Sequence, residues 1–401
     1  MVATALQQFG SIETAAGKAH AMLCMDVDRP NEFMVHVWGK DLASMALLLE
    51  ADEKPGGLLE LKPKRLYRPS DNGSLFLPHL TEEDITNLDA MSARLRRVKG
   101  GFRGEWTGLG GTSGLIQLKP GPDGAEVVAQ SCNSWDEFKQ WAGRSRQVLD
   151  AALFRGHGSS SFKLQTTFHR AGRHRLERYC AETLQQFHGQ AEAVLGIRLN
   201  MNDGADYSVV LGLGQHHGLP TPLLDWTESP YVAAFFAFAD ALEAERYRPR
   251  ATHVRIFALT REFVVNSSPA SVVLPYTSPY VASLEISPRL NQRLQAQQGR
   301  FLVTNVANLE RLLGGMQAGR EKPLLHAVDV PISVAREALE DLAFMGVTAA
   351  TLFPGLDGIC RKIRHQMTFV RPPIPDAGQP IGEPARIGSD SERGQDLSGA
   401  E

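Results

Sequence analysis

The spacing of apolar and polar residues changes along the chain. In the first third it follows a period of two. "FMVHVWG" (33–39) and "SLFLPHL" (74–80) predict strands. "RGEWTGLGGTSGLIQLKPGPDG" (103–124) predicts hairpins with Gly-rich and Pro-Asp-Gly turns. Between them "TEEDITNLDAMSARLRRV" (81–98) predicts a helix, with Thr81 as N-cap, acids in the first turn and arginines in the last. Residues 1–130 thus read as a small β-rich α+β module with no evident chemistry.

After about residue 131 helical spacing enters. Ser134 and Glu137 open the helix of "SWDEFKQWAGRSRQVL" as a capping box. "ALFRG" (152–156) is strand-like, and "RHRLERYCAETLQQFHGQAEAVL" (173–195) predicts one long amphipathic helix. Ser229 caps and Pro230 opens a helix that is apolar nearly all round to Ala239, as a buried central helix should be. "HVRIFALT" (253–260) alternates like a strand. "ISVAREALEDLAFMG" (332–346) carries Val334, Ala338, Leu342 and Met345 on one stripe and ends at Gly346. "LFPGLDG" (352–358) predicts a turn, with Asp357 able to cap the chain beyond it. The Pro-, Gly- and charge-rich residues 372–401 predict a disordered tail.

Composition narrows the class. A chain of 401 residues suggests two domains plus tails, and 43% hydrophobic with 22% charged residues is ordinary for a globular protein. The net charge of −3 gives no global nucleic-acid footprint, so the basic runs at 170–179 and 361–365 read as solvated helix faces. Four scattered cysteines without C-x-x-C spacing predict reduced thiols and a cytoplasmic setting. No secretory signal is evident, and the run "YVAAFFAFA" is too short to span a bilayer. Walker A, G-x-G-x-x-G and G-x-S-x-G patterns are absent.

Four ordered segments carry a resemblance. They are "LFRGHG" (153–158), "LGLGQHHGLPTPLLDWTESPYVAAFFAF" (211–238), "LNQRLQAQQGRFLV" (290–303) and "MGVTAATLFPGLDGICRKIR" (345–364). Together they resemble the FRG domain family, named for its Phe-Arg-Gly signature, over roughly 131–371. Pro222 departs from it, where the family more often has Arg. The arrangement also resembles, remotely, the ADP-ribosyltransferase fold: an Arg or His on an early strand, a Ser/Thr strand before a helix, then an acidic or amide residue on a later strand. That resemblance maps Arg155, Thr227 and Gln298 as the catalytic set. It implies an α+β domain with a mixed or antiparallel sheet and packed helices, acting on NAD as substrate.

The residues support more than one reading. Arg155 can hold a phosphate or ribose by its forked donors, or pair Asp225 structurally. Gly156 and Gly158 would let a ligand approach the backbone. Read as strand residues, His216 and His217 point to opposite faces, so at most one faces a given site. Their spacing suits no zinc motif, and no metal is expected. Gln215 and His216 are candidate pocket residues. Asp225 would orient Arg155 or a histidine, Trp226 belongs to the core, and Thr227 caps the helix or touches ligand. A neutral Gln298 can bond a ribose but supplies no charge to an oxocarbenium-like transition state, a task Glu285 could take. The leading expectation is an NAD-directed transferase or hydrolase. The alternative is a nucleotide-sensing module acting with a protein partner through residues 1–130, and the third is nucleic-acid binding. No membrane association is expected.

Overall fold

The computed structural model describes residues 6–14, 17–40, 44–244, 251–267, 272–284, 286–287, 289 and 292–368. Glu285 and the 372–401 tail lie outside them.

The period-two segments form β1 (Gln7–Thr14), β2 (Gly17–Asp26), β3 (Arg29–Trp38), β4 (Met45–Lys54), β5 (Leu58–Pro69), β6 (Leu75–Phe76), β7 (Ser92–Val98), β8 (Gly101–Thr107) and β9 (Ser113–Pro120). They run antiparallel in the order β4-β3-β2-β1-β9-β8-β7-β5-β6, and β4 also pairs with β5. Without the short β6, eight strands therefore close into a barrel. At that number side chains just fill the interior. Leu23, Phe33, Val35, Leu61, Leu95 and Phe102 do so. The outer faces of β1 to β4 are also apolar, and Phe9, Met22, Met34 and Leu48 pack with Val306 of the second part of the chain. Burial on both faces explains the continuous apolar runs in β2 and β4.

The second sheet contains β10 (Gln130–Ser131), β11 (Ala151–His157), β12 (Leu223–Thr227), β13 (His253–Thr260), β14 (Val281–Leu284), β15 (Gly299–Thr304) and β16 (Leu325–Pro331). Its order is β10-β16-β13-β11-β12-β15-β14. The β10–β16 pair is parallel and the others are antiparallel, so the sheet is mixed. One face is covered by the Trp135–Gln147, Pro230–Ala244 and Ala335–Phe344 helices, through Trp135, Phe138, Phe238, Ala338 and Leu342. The α+β class with a β-rich N-terminal part is thus what the chain forms.

Several local expectations change. The 81–98 helix is helical only over Glu82–Ala90, where Thr81 and Asp84 form a reciprocal capping box. Ser92–Val98 is β7, with Leu95 in the barrel and Arg94 and Arg96 exposed, so the two-residue period prevails there. "SLFLPHL" contributes a strand of only two residues. The 173–195 helix begins at Leu176 and passes through a π-helical stretch at Tyr179–Thr183 before Leu184–Leu195. "LGLGQHH" ends a helix, Gly204–His216, capped by Asp203, and is not a strand. Tyr207 to Gly214 are all buried, so no polar face betrays the helical period. In "LFPGLDG" the turn at Gly355, φ +100°, runs directly into the Leu356–Thr368 helix. Ser134 caps as expected, but Glu137 reaches the amide of Asn133, one residue early.

Candidate functional site

β11 and β12 pair at a single position, Phe154 with Thr227. Past that point the strands part, and a cavity of about 770 Å³ opens beside them. Arg155 reaches across the gap. Its Nη1 donates to the Asp225 carbonyl oxygen and lies 3.8 Å from the Asp225 carboxylate, while its Nε donates to His157 Nε2 at 3.2 Å. Gln215 donates to Asp225 Oδ2 at 2.7 Å and accepts from the buried hydroxyl of Thr221. Thr221, Gln215, Asp225, Arg155 and His157 thus form one connected polar chain. Such a chain holds each side chain in a fixed orientation.

Both the structural and the ligand-facing reading of Arg155 therefore find a basis: it pairs with Asp225 and it also lines the cavity. Burial pushes its guanidinium below the usual range, opposed by Asp225. Burial and the adjacent Arg155 push the His157 imidazole down to about 3, so His157 is neutral at pH 7.

Gly156 and Gly158 line the cavity, and they also have a packing role. A Cβ on Gly156 would lie 1.9 Å from the Ala233 carbonyl oxygen, and one on Gly158 would lie 2.2 Å from an Asp240 carboxylate oxygen. What approaches so closely is the Pro230–Ala244 helix. The glycines seat that helix on β11, and the seating brings Phe236 and Asp240 to the cavity wall.

Of the residues singled out from the sequence, Arg155, Gly156, Gln215, His216, Asp225 and Thr227 meet at the cavity. His217 does not line it. Thr227 is buried, and its hydroxyl donates to the Gln297 carbonyl at 2.8 Å and accepts from the Ser229 amide at 3.2 Å. Gln298 is exposed with φ +49° in the turn before β15, and the lining residue is its neighbour Gln297.

Other wall residues escaped the sequence reading. Lys163, Arg170 and Arg293 join Arg155, giving four cations against the carboxylates of Asp225 and Asp240. Phe162, Phe236 and Phe353 add aromatic surface. The Arg293 guanidinium lies 5.4 Å from the Phe353 ring centre and pairs with Asp357 at 3.1 Å. Three wall residues carried a signal. Phe236 and Asp240 sit at helical i, i+4 spacing, a polar break in an otherwise apolar helix. Arg170 belongs to the basic run read as a solvated face. No group of His, Cys, Asp and Glu suited to a metal occurs among the described residues, and no described helix is long and apolar enough to cross a membrane.

The chain is thus a mixed α/β protein with a cationic, aromatic-walled cavity at a gap in its second sheet. Residues 150–246 match the family model described as the FRG domain, so the chain carries an FRG domain there. The match contains both splayed strands and the helix seated by the glycines. Searches of curated proteins and of solved structures each return no match.

Proposed function

We propose that the FRG cavity binds an anionic nucleotide of NAD type, and that the protein is an ADP-ribosyltransferase-like transferase or NAD hydrolase. The observation that carries this reading is the surplus of cations over carboxylates beside an aromatic wall in one cavity. Guanidinium groups bind phosphates by paired, charge-assisted hydrogen bonds, and aromatic rings give a base or nicotinamide a stacking surface. Cleavage breaks the bond from ribose C1′ to the nicotinamide nitrogen. Nicotinamide leaves with the electron pair, and water or an acceptor hydroxyl forms the new C1′–O bond and releases its proton. A carboxylate facing C1′ stabilises the positive charge that develops there. With Gln298 outside the cavity, Asp225 and Asp240 are the carboxylates on its wall. The free thiols of Cys24, Cys132, Cys180 and Cys360 are consistent with a cytoplasmic setting.

A second reading, a nucleotide sensor without turnover, is favoured by Thr227, whose hydroxyl is already engaged by backbone groups. Incubation with NAD, following nicotinamide release and binding together, separates the two. Arg155→Ala removes a charged donor set and should weaken binding roughly ten- to a hundredfold, as loss of about 1.5–3 kcal/mol implies. Release abolished by the variant supports the enzyme, and binding without release supports the sensor. Neither binding nor release by the unaltered protein defeats the nucleotide reading.

A further inference from the structure

Arg170 reaches the cavity from a segment that is also bonded to the barrel. It ends the short Thr167–Arg170 helix, and the chain then turns at Gly172, φ +71°. There the turn between β2 and β3 takes hold. The Val27 amide donates to the Gly172 carbonyl at 2.9 Å, and Val27 so crowds Gly172 that a Cβ there would lie 2.9 Å from its side chain. Asp26, 2% exposed, accepts from the amides of His174 at 2.7 Å and Arg175 at 3.0 Å through one oxygen. Its other oxygen accepts from Arg178 at 3.0 Å and lies 3.7 Å from Arg173. Asp28 pairs with Arg178 and Arg173, and Arg175 pairs with Glu32 at 2.6 Å.

The same short helix is tied to the cavity at its start. The Thr221 amide donates to the Thr167 hydroxyl at 3.1 Å, and Thr221 begins the polar chain that runs through Gln215 and Asp225 to Arg155. A displacement of 167–172 would therefore move Arg170 directly and disturb Asp225 through Thr221 and Gln215.

We infer that the barrel is a working part of the site: its β2–β3 turn holds Arg170 in the cavity, with Asp26 as the positioning residue. The turn touches no ligand. It selects one arrangement of the Arg170 segment, and an anionic nucleotide then binds without the cost of ordering that segment. This rests on the nucleotide reading for its effect on affinity and is independent of it for the effect on the segment.

The test uses the full chain. Asp26→Asn keeps an acceptor for the two amides and removes the charge facing Arg173 and Arg178. Arg178→Gln weakens the same contact from the other side, should Asp26→Asn fold poorly. Phe102→Leu, inside the barrel, is the control for destabilisation alone. Amide hydrogen exchange over 167–173 is measured without ligand, and NAD affinity by calorimetry. We expect exchange about tenfold faster and NAD binding about tenfold weaker in the charge variants, with neither change in the control. Exchange no faster than in Phe102→Leu overturns the proposal. Faster exchange with undiminished NAD affinity overturns it too. If the unaltered protein binds no NAD, the nucleotide reading fails by itself, and the exchange result still decides whether the turn holds Arg170.

Discussion

The two sheets solve closure in opposite ways. The barrel joins β4 to β5 and β1 to β9, and a pocket lined by its Leu23, Phe33 and Phe102 holds only about 10 Å³. The second sheet stays open, lets β11 and β12 part after one paired position, and leaves about 770 Å³ beside the gap. A strand that keeps its neighbours buries its side chains against them. A strand that loses one presents backbone and polar side chains to whatever enters. Candidate chemistry gathers at the opened ladder, and the closed ladder supplies support.

That contrast can be sharpened by substitutions on each side of it. Phe33→Ala removes a large side chain from the filled barrel, 2% exposed, and should cost about 3–5 kcal/mol in denaturant unfolding. The protein that remains folded should keep its NAD affinity, and a matching collapse of affinity would erase the distinction between support and site. Gly156→Ala should cost about 3 kcal/mol, the upper end for overpacking, because its new methyl meets the Ala233 carbonyl. Here binding should suffer too, since the displaced helix carries Phe236 and Asp240. Intact binding in a destabilised Gly156→Ala variant would mean that the seating of the helix does not shape the cavity.

Acid should act mainly on the second part of the chain. Burial pushes His36 and His174 down to about 4 and His169 well below its usual range, and His157 to about 3. Unfolded histidine titrates near 6.5, so between these values the unfolded chain binds more protons. Stability present above about pH 6.5 is therefore lost as pH falls toward 4, on the order of 1 kcal/mol for each histidine at pH 5.5. Glu177 and Glu310, raised by burial, oppose the trend. Urea titrations at pH 7 and 5.5 test this, and equal midpoints would show that these imidazoles are not held neutral.

Much of the site was legible because it is local. Phe154-Arg155-Gly156 and Asp225-Trp226-Thr227 each occupy a few consecutive residues, and the polar-to-apolar change at Ser229 marks the helix start. Arg170, Arg293 and Phe353 come from distant segments, and only the closed fold brings them to one wall. Gln298 misled for a related reason. Adjacent residues in a turn point in different directions, so Gln297 lines the cavity and Gln298 faces solvent. The Gly204–His216 helix was hidden because burial all round erases the periodic contrast on which a sequence reading depends. The barrel's strands were partly visible, but closure depends on pairing β1 with β9, about a hundred residues apart, which no short pattern records.

The edges of the second sheet have a consequence for the crowded state. Among the described residues that sheet ends on β10, of two residues, and β14, of four, and the barrel's eight-strand ring leaves no edge of its own. Short edges offer little unpaired backbone to a neighbouring molecule's strand. The folded protein is thus poorly templated for edge-to-edge aggregation. That protection rests on β14, which covers β15 and its Phe301-Leu302-Val303 run.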